Sequence, residues 1–366
     1  MGRSDNPFTP AFGKLPFAFA GRDEFIDDVL GGLENQPGDP NRTTIFIGPR
    51  GSGKTALMRK ISNEAEQIGW VCVRAATGPQ LMEELLYTLQ FKTGVVTGDN
   101  PLGSITALSI GPVGVEREIT RPAVPVRFQL EKLIEQINER GRGVMFLIDE
   151  VDPANDDLLN FISHYQMFVS EDRDVALILG GLPGKVSDLL VADNVSFIRR
   201  AFQHELKPIG REYAEHVLLA TIRENGRDID QDALYAAAEL SCGYPYTVQL
   251  VGYHLWKEGR SEGAFTLDDV LGIESWVEHS METAVFKPTL RELTIREEEY
   301  LQAMAQDEGP SSTSDVAKRM GISMTNASNL RRRLISQGII CEQRMGIVDF
   351  DIPMLRSYMQ RGGAAW

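Results

Sequence analysis

Residues 48–55 read Gly-Pro-Arg-Gly-Ser-Gly-Lys-Thr and fit the pattern G-x-x-x-x-G-K-[ST]. This stretch constrains the fold more tightly than any other. Its glycines permit a loop whose backbone N–H groups converge on phosphate oxygens. A helix opening at the end of the loop points its positive N-terminus at the same anion. The pattern therefore requires a strand before it and a helix after it. A β-branched run over 43–47 predicts the strand, and 56–68 has helical character. Gly48, Pro49, Arg50, Gly51, Ser52, Gly53 and Ala56 form the expected cradle. Lys54 is expected to reach the β- and γ-phosphates, and the Thr55 hydroxyl to ligate Mg²⁺.

The same chemistry needs a second cluster of negative charge on a neighbouring strand. Residues 144–150, Val-Met-Phe-Leu-Ile-Asp-Glu, supply a buried apolar run ending in two carboxylates. Asp149 is expected to hold Mg²⁺, directly or through water, and Glu150 to polarise an attacking water. Asp152 is expected to be a helix cap or a supporting group. A further apolar run over 175–179 and helical patterns over 23–33, 81–91, 127–140 and 156–169 alternate with the strands. Continuous apolar strands between helices indicate an α/β fold with a parallel sheet covered on both faces.

The flanking regions differ. Residues 1–20 are rich in Pro and Phe and read as an ordered arm lying on a domain. A Gly- and Pro-rich stretch over 94–125 predicts a hairpin insertion over 104–119. After Pro208 strands are expected to stop, and 211–224, 230–240, 246–257 and 267–279 form an all-helical unit. In the last segment Thr294 and Glu297 make a capping box for a helix to Gln306. Ser314 is expected to cap a helix to Met320, and Gly321 to make the turn into a helix over 323–337. Strands over 339–342 and 347–350 complete a winged helix-turn-helix. The expected division is an arm over 1–20, a nucleotide domain over 21–207, a helical lid over 208–290 and a winged helix over 291–360.

The chain has 37 basic and 52 acidic residues, a net charge of −15. Apolar residues at 42% and charged residues at 24% exclude a disordered or fibrous chain. The acidity argues against non-specific nucleic-acid binding over the whole surface, though it leaves room for a local basic element. Cys72, Cys242 and Cys341 lack metal-ligand spacing and read as free thiols. The five histidines are scattered and read as structural or surface residues. With no signal-peptide pattern and no long apolar run, a cytoplasmic protein that makes no use of a membrane is expected.

In order along the chain stand Phe19-Ala20-Gly21-Arg22-Asp23-Glu24, the phosphate loop, Leu147-Ile148-Asp149-Glu150 and Gly243-Tyr244-Pro245. This series resembles AAA+ ATPases, and with the terminal winged helix it is similar to the origin-recognition and replication-initiator branch. It also resembles archaeal and STAND-type ATPases, whose lid carries a Gly-x-Pro motif. The resemblance implies an ATPase that binds ATP or ADP with Mg²⁺. It implies that Phe19, Gly21 and Arg22 lie near the adenine and that Pro245 closes over the nucleotide. Arg199 or Arg200 would sense γ-phosphate, often in a neighbouring subunit of a homo-oligomer or in a partner ATPase. A plain surface basic pair is the competing reading. Two departures stand out. Gly180 and Gly181 occupy the place of a polar sensor residue, and Tyr246 that of a sensor arginine. Slow hydrolysis in an ATP/ADP-gated switch follows as an expectation.

On a helical wheel of 323–337, Ala327, Leu330 and Leu334 face the core. Thr325, Ser328, Asn329, Arg332 and Ser336 lie opposite, flanked by Arg331 and Arg333. Residues 311–366 hold eight basic and four acidic residues, while 291–310 hold two basic and six acidic. DNA contact through Thr325, Asn329, Arg331, Arg332 and Arg333 is expected, because Arg suits guanine and Asn suits adenine. The lid angle, set by ATP, would govern how this helix is presented. The alternatives are a signalling switch whose winged helix binds protein, and a helper ATPase for mobile-element or phage DNA transactions. Tyr244, Tyr246, Tyr253 and Trp256 read as lid core.

Overall fold

The computed structural model describes residues 6–11, 14–94, 124–259 and 263–363. The hairpin expected over 104–119 lies outside these residues. The first region runs α1 (Asp23–Glu34), β1 (Thr43–Ile47), α2 (Lys54–Gln67), β2 (Val71–Ala76), α3 (Leu81–Thr93) and α4 (Val126–Asn138). It continues with β3 (Val144–Asp149), α5 (Asp156–Ser170), β4 (Val175–Gly181), α6 (Pro183–Val191) and β5 (Phe202–Glu205). Among the described residues these strands form one parallel sheet in the order β2-β3-β4-β1-β5.

The apolar runs are explained by burial on both faces. On one face Phe46, Leu147 and Ile178 pack with Leu57 and Ile61 of α2 and Val29 of α1. On the other, Ile45, Phe146, Ile148 and Leu179 pack with Leu85 of α3, Leu133 of α4 and Phe161 of α5. The strand order sets β1 and β3 on either side of β4. Their carboxyl ends therefore flank Gly180 and Gly181, the place where open parallel sheets bind ligands. Strand β5 escapes the sequence pattern because it is an edge strand, mostly exposed, that reads Phe-Gln-His-Glu.

The lid comprises α7 (Arg211–Glu224), α8 (Gln231–Leu240), α9 (Pro245–Glu258) and α10 (Leu267–Met281) around Leu218, Ile222, Ala237, Val251 and Phe265. One addition amends the expectation that strands stop at Pro208. Short strands β6 (Asp228–Ile229) and β7 (Ala264–Phe265) pair in parallel and clip the lid. The described part of residues 1–20 packs against the lid. Phe8 is buried in the lid core, and Asn6 Nδ2 donates to the Tyr253 carbonyl at 2.9 Å. Gly252 makes room for it, since a Cβ there would lie 2.2 Å from the Phe8 ring.

Helix α10 runs through a π-helical turn (Glu282–Phe286) into α11 (Lys287–Arg291). Met281, Val285, Phe286 and Leu290 pack with Tyr300, Leu334, Val348 and Leu355, so the C-terminal core draws on residues before 291. That unit comprises α12 (Ile295–Met304), β8 (Ser311–Ser312), α13 (Thr313–Met320), α14 (Met324–Ser336), β9 (Ile340–Arg344), β10 (Ile347–Phe350) and α15 (Leu355–Gln360). The Thr294–Glu297 capping box is present. The cap of α13 is Ser312 rather than Ser314: its hydroxyl accepts from the Ser314 N–H at 3.2 Å. The strands pair antiparallel in the order β8-β10-β9. This arrangement is consistent with a winged helix-turn-helix.

Candidate nucleotide-binding site

The phosphate loop connects β1 to α2 at the carboxyl end of the sheet. Gly51 and Gly53 have φ of +82° and +91°, a region that L side chains rarely occupy. Gly53 is the N-cap of α2, so the helix opens at Lys54 with its positive end on the loop. A Cβ on Gly48 would lie 2.7 Å from Ser52 Oγ, which fixes glycine there too. Ser52 Oγ is buried without a hydrogen-bond partner. The Lys54 ammonium donates to the carbonyls of Gly48 at 2.7 Å and Pro49 at 2.8 Å. Burial lowers its pKa to about 8, against the pull of Asp149 and Glu150. An unpartnered buried hydroxyl and a buried cation resting on its own loop are what a phosphate cradle offers an anion.

Beside the loop, the Thr55 hydroxyl donates to the Asp149 carboxylate at the end of β3. These two side chains are the oxygen donors here that would hold a divalent cation. Gly180 explains how they meet. A Cβ there would lie 2.8 Å from Asp149 Oδ1 and 2.7 Å from Met58 Sδ. A side chain at 180 would therefore have to displace Asp149 or Met58. Gly181 is confined in the same way, because its Cβ would lie 2.4 Å from Val151 Cγ2. Glu150 follows with φ +53°, a left-handed backbone for a non-glycine residue, and its side chain is exposed.

Asp152 does not cap α5; Asn155 does, accepting from the Leu158 N–H at 2.9 Å. Asp152 instead pairs with Lys185 of α6 at 2.8 Å and accepts from the Ala154 N–H. These bonds, led by the one from Lys185, hold its carboxyl below the usual range.

A cleft continues from the loop between arm and lid. Residues Gly51 to Ala56 form one wall, with Thr9, Phe19, Arg22, Ile209, Pro245, Tyr246 and Gln249 among the others. Of the residues that the resemblance singles out, Phe19, Arg22 and Pro245 line this cleft. Gly21 does not line the cleft: it has φ +76° and packs on Tyr213 and Ile209. Thr9, Ile209 and Gln249 had no sequence signal. The Thr9 N–H donates to Gln249 Oε1 at 3.2 Å, and the Thr9 hydroxyl is buried without a partner.

Tyr244 and Tyr246 are not mere lid core. The Tyr244 hydroxyl donates to the Arg50 carbonyl, and its ring covers Gly51. Tyr246 lines the cleft. The Arg50 side chain points away from the cleft, to Glu292 at 3.0 Å. Arg199 and Arg200 are exposed and lie outside the cleft, with Arg199 Nε donating to the Leu190 carbonyl at 2.5 Å.

On α14, Thr325, Asn329, Arg332 and Arg333 are exposed, and Ser328 is partly so. Arg331 departs from the expectation: it pairs with Glu342 of β9 at 3.1 Å and is 24% exposed. Ser336 is not open either. It packs on α6, where a Cβ on Gly184 would lie 2.3 Å from the Ser336 Cβ.

Residues 39–190 match the AAA domain family, and residues 283–359 match a domain of unknown function, DUF8462. No curated protein matches the chain. Among solved structures, the Walker-type ATPase of Pyrococcus abyssi superposes with a TM-score of 0.67 at 16% identity, over 93% of this chain and 95% of that one. The ORC2 protein of Aeropyrum pernix, in ADPNP–ADP complexes, gives 0.63 at 12% identity over 99% of each chain. Cdc6p from Pyrobaculum aerophilum gives 0.51 at 15%, over 98% of this chain and 97% of that one. No helix among the described residues is long and apolar enough to cross a membrane. With the phosphate loop, the sheet order and these likenesses together, residues 39–190 carry an AAA domain and the chain has the fold of ORC- and Cdc6-type proteins.

Proposed function

We propose that this ATPase binds ATP and ADP with Mg²⁺ in the cleft between loop, arm and lid, and that nucleotide state governs DNA binding by the C-terminal unit. The observation that carries the reading is the convergence of Lys54, Thr55 and Asp149 beside the unpartnered Ser52 hydroxyl. Lys54 and the loop N–H groups would hold the phosphates, with Thr55 and Asp149 holding the metal. Phe19, Arg22 and Pro245 would enclose the base. The ADPNP–ADP complexes of the Aeropyrum pernix ORC2 protein support a nucleotide in such a fold. The bound metal would supply charge neutralisation at the phosphates. Glu150, exposed beside Asp149, would orient and deprotonate the attacking water.

Slow turnover follows from Gly180, Gly181 and Tyr246, which offer neither a sensor amide nor a sensor guanidinium to the γ-phosphate. Arg199 and Arg200, exposed and away from their own cleft, would serve a neighbouring subunit of a homo-oligomer or a partner ATPase. The exposed Thr325, Asn329, Arg332 and Arg333 would meet phosphates and base edges, in a protein of the cytoplasm. Initiator-like or regulatory action on DNA is the reading favoured. The engagement of Arg331 by Glu342 and of Ser336 by α6 favours the protein-binding alternative, because both reduce the face left for DNA. The test is binding of duplex DNA with and without an ATP analogue, by the wild type and Lys54→Ala. Salt-sensitive binding that responds to nucleotide only in the wild type supports the proposal. Equal binding in all four cases removes gating, and no salt-sensitive binding removes DNA.

A further inference from the structure

The apex of the phosphate loop, Pro49-Arg50-Gly51, is held from two sides. From the lid, Tyr244 donates its hydroxyl to the Arg50 carbonyl and lays its ring over Gly51, where a Cβ would lie 2.8 Å away. From the C-terminal unit, Glu292 pairs with the Arg50 guanidinium at 3.0 Å. Gly338, in the turn after α14, abuts Pro49: a Cβ there would lie 3.1 Å from the Pro49 Cα. Gly338 also has φ +68°, so the turn and the close approach both require glycine. The neighbouring Ser336 rests on Gly184 of α6 and keeps this end of α14 against the nucleotide domain.

We infer that the apex itself carries phosphate occupancy to the C-terminal unit, with Tyr244 and Glu292 as its positioning residues. This rests on the reading that nucleotide occupies the cleft, and it replaces the lid angle as the route of gating. Lys54 donates to the Gly48 and Pro49 carbonyls. Phosphate oxygens compete for the same ammonium donors. A triphosphate that draws Lys54 away releases Pro49, the residue on which Gly338 rests. Close-packed contacts respond to shifts of a few tenths of an ångström by changing arrangement rather than by stretching. The Arg50–Glu292 pair is about half exposed and therefore trims the equilibrium rather than dominating it. The Tyr244 hydroxyl is buried and its bond weighs more. Coupling is reciprocal, so loosening the C-terminal unit must alter triphosphate affinity by the factor that triphosphate alters docking.

The experiment is hydrogen exchange on the full chain with and without Mg²⁺ and a non-hydrolysable ATP analogue, with calorimetry to show that the analogue binds. In the wild type, bound analogue should slow exchange in 48–56 and quicken it in 336–342 by about threefold or more. Glu292→Arg, on the surface, should bind the analogue about twofold to fivefold more tightly and exchange quickly in 336–342 without it. Tyr244→Phe keeps the ring and should lose most of the response in 336–342. If analogue binds and protects 48–56 while 336–342 is unchanged, the inference falls and the nucleotide reading stands. If the wild type responds and both variants respond identically to it, the assigned route falls. If calorimetry shows no binding, the nucleotide reading falls and the inference with it.

Discussion

The loop at 48–55 and the outer face of α14 both gather polar groups, by opposite means. At the loop, each group is fixed before any ligand arrives. Lys54 lies on two carbonyls, Thr55 on Asp149, and the backbone turns through two positive-φ glycines. On α14, Thr325, Asn329, Arg332 and Arg333 stand in solvent, while Arg331, the least exposed of the three arginines, is held by Glu342. The first arrangement spends little ordering entropy on binding and accepts one geometry. The second must order long side chains on contact and can adapt. Chemistry on a phosphate requires the first, and scanning a partner surface tolerates the second.

The sharpest way to break this contrast is at Glu150. Glu150→Gln should cut ATP turnover by about 100-fold or more while leaving ADP affinity nearly unchanged, measured by phosphate release and calorimetry. A parallel loss of binding would mean that Glu150 holds nucleotide rather than water. Gly180→Ala tests preorganisation itself. Its methyl group would displace the Asp149 carboxylate, so the gain in ADP affinity on adding Mg²⁺ should shrink roughly tenfold. An unaltered Mg²⁺ response would show that the cleft tolerates slack after all.

On the adaptable side, Arg332→Ala should weaken duplex binding by about tenfold and reduce the salt slope by about one. Arg331→Ala should do less, because that guanidinium is already committed to Glu342. Equal effects, seen in titrations at several salt concentrations, would contradict the distinction.

The smallest effect concerns the seam between the two regions. Burial, and then the charge of Glu205 on β5, raise the Asp351 carboxyl from 3.8 to about 6. The folded chain therefore holds this proton more tightly than the unfolded one. Its stabilising contribution is full below about 3.8 and is lost as pH rises through about 6. Asp351→Asn should thus be more stable than the wild type at pH 7 and level with it near pH 4, read from urea midpoints.

What the sequence makes legible follows from what is contiguous. The loop and the Asp149-Glu150 pair are short runs readable from spacing alone, and in the fold the loop joins β1 to α2 while β3 ends at Asp149. The buried strands announce themselves because both faces need apolar residues. Edge strand β5 does not, since four mostly exposed residues, Phe-Gln-His-Glu, carry no apolar run. The meaning of Gly180 is hidden because it depends on Asp149 and Met58 arriving from other elements. Tyr244 and Ser336 mislead for the same reason: helical spacing assigns each a face, but only the folded chain shows what that face meets.

The most direct test of the whole account is calorimetric titration of the full chain with ADP and Mg²⁺, repeated for Lys54→Ala. One site per chain, weakened about 100-fold or lost in Lys54→Ala, is predicted. Equal affinity in the two proteins, or no binding by the wild type, would contradict it.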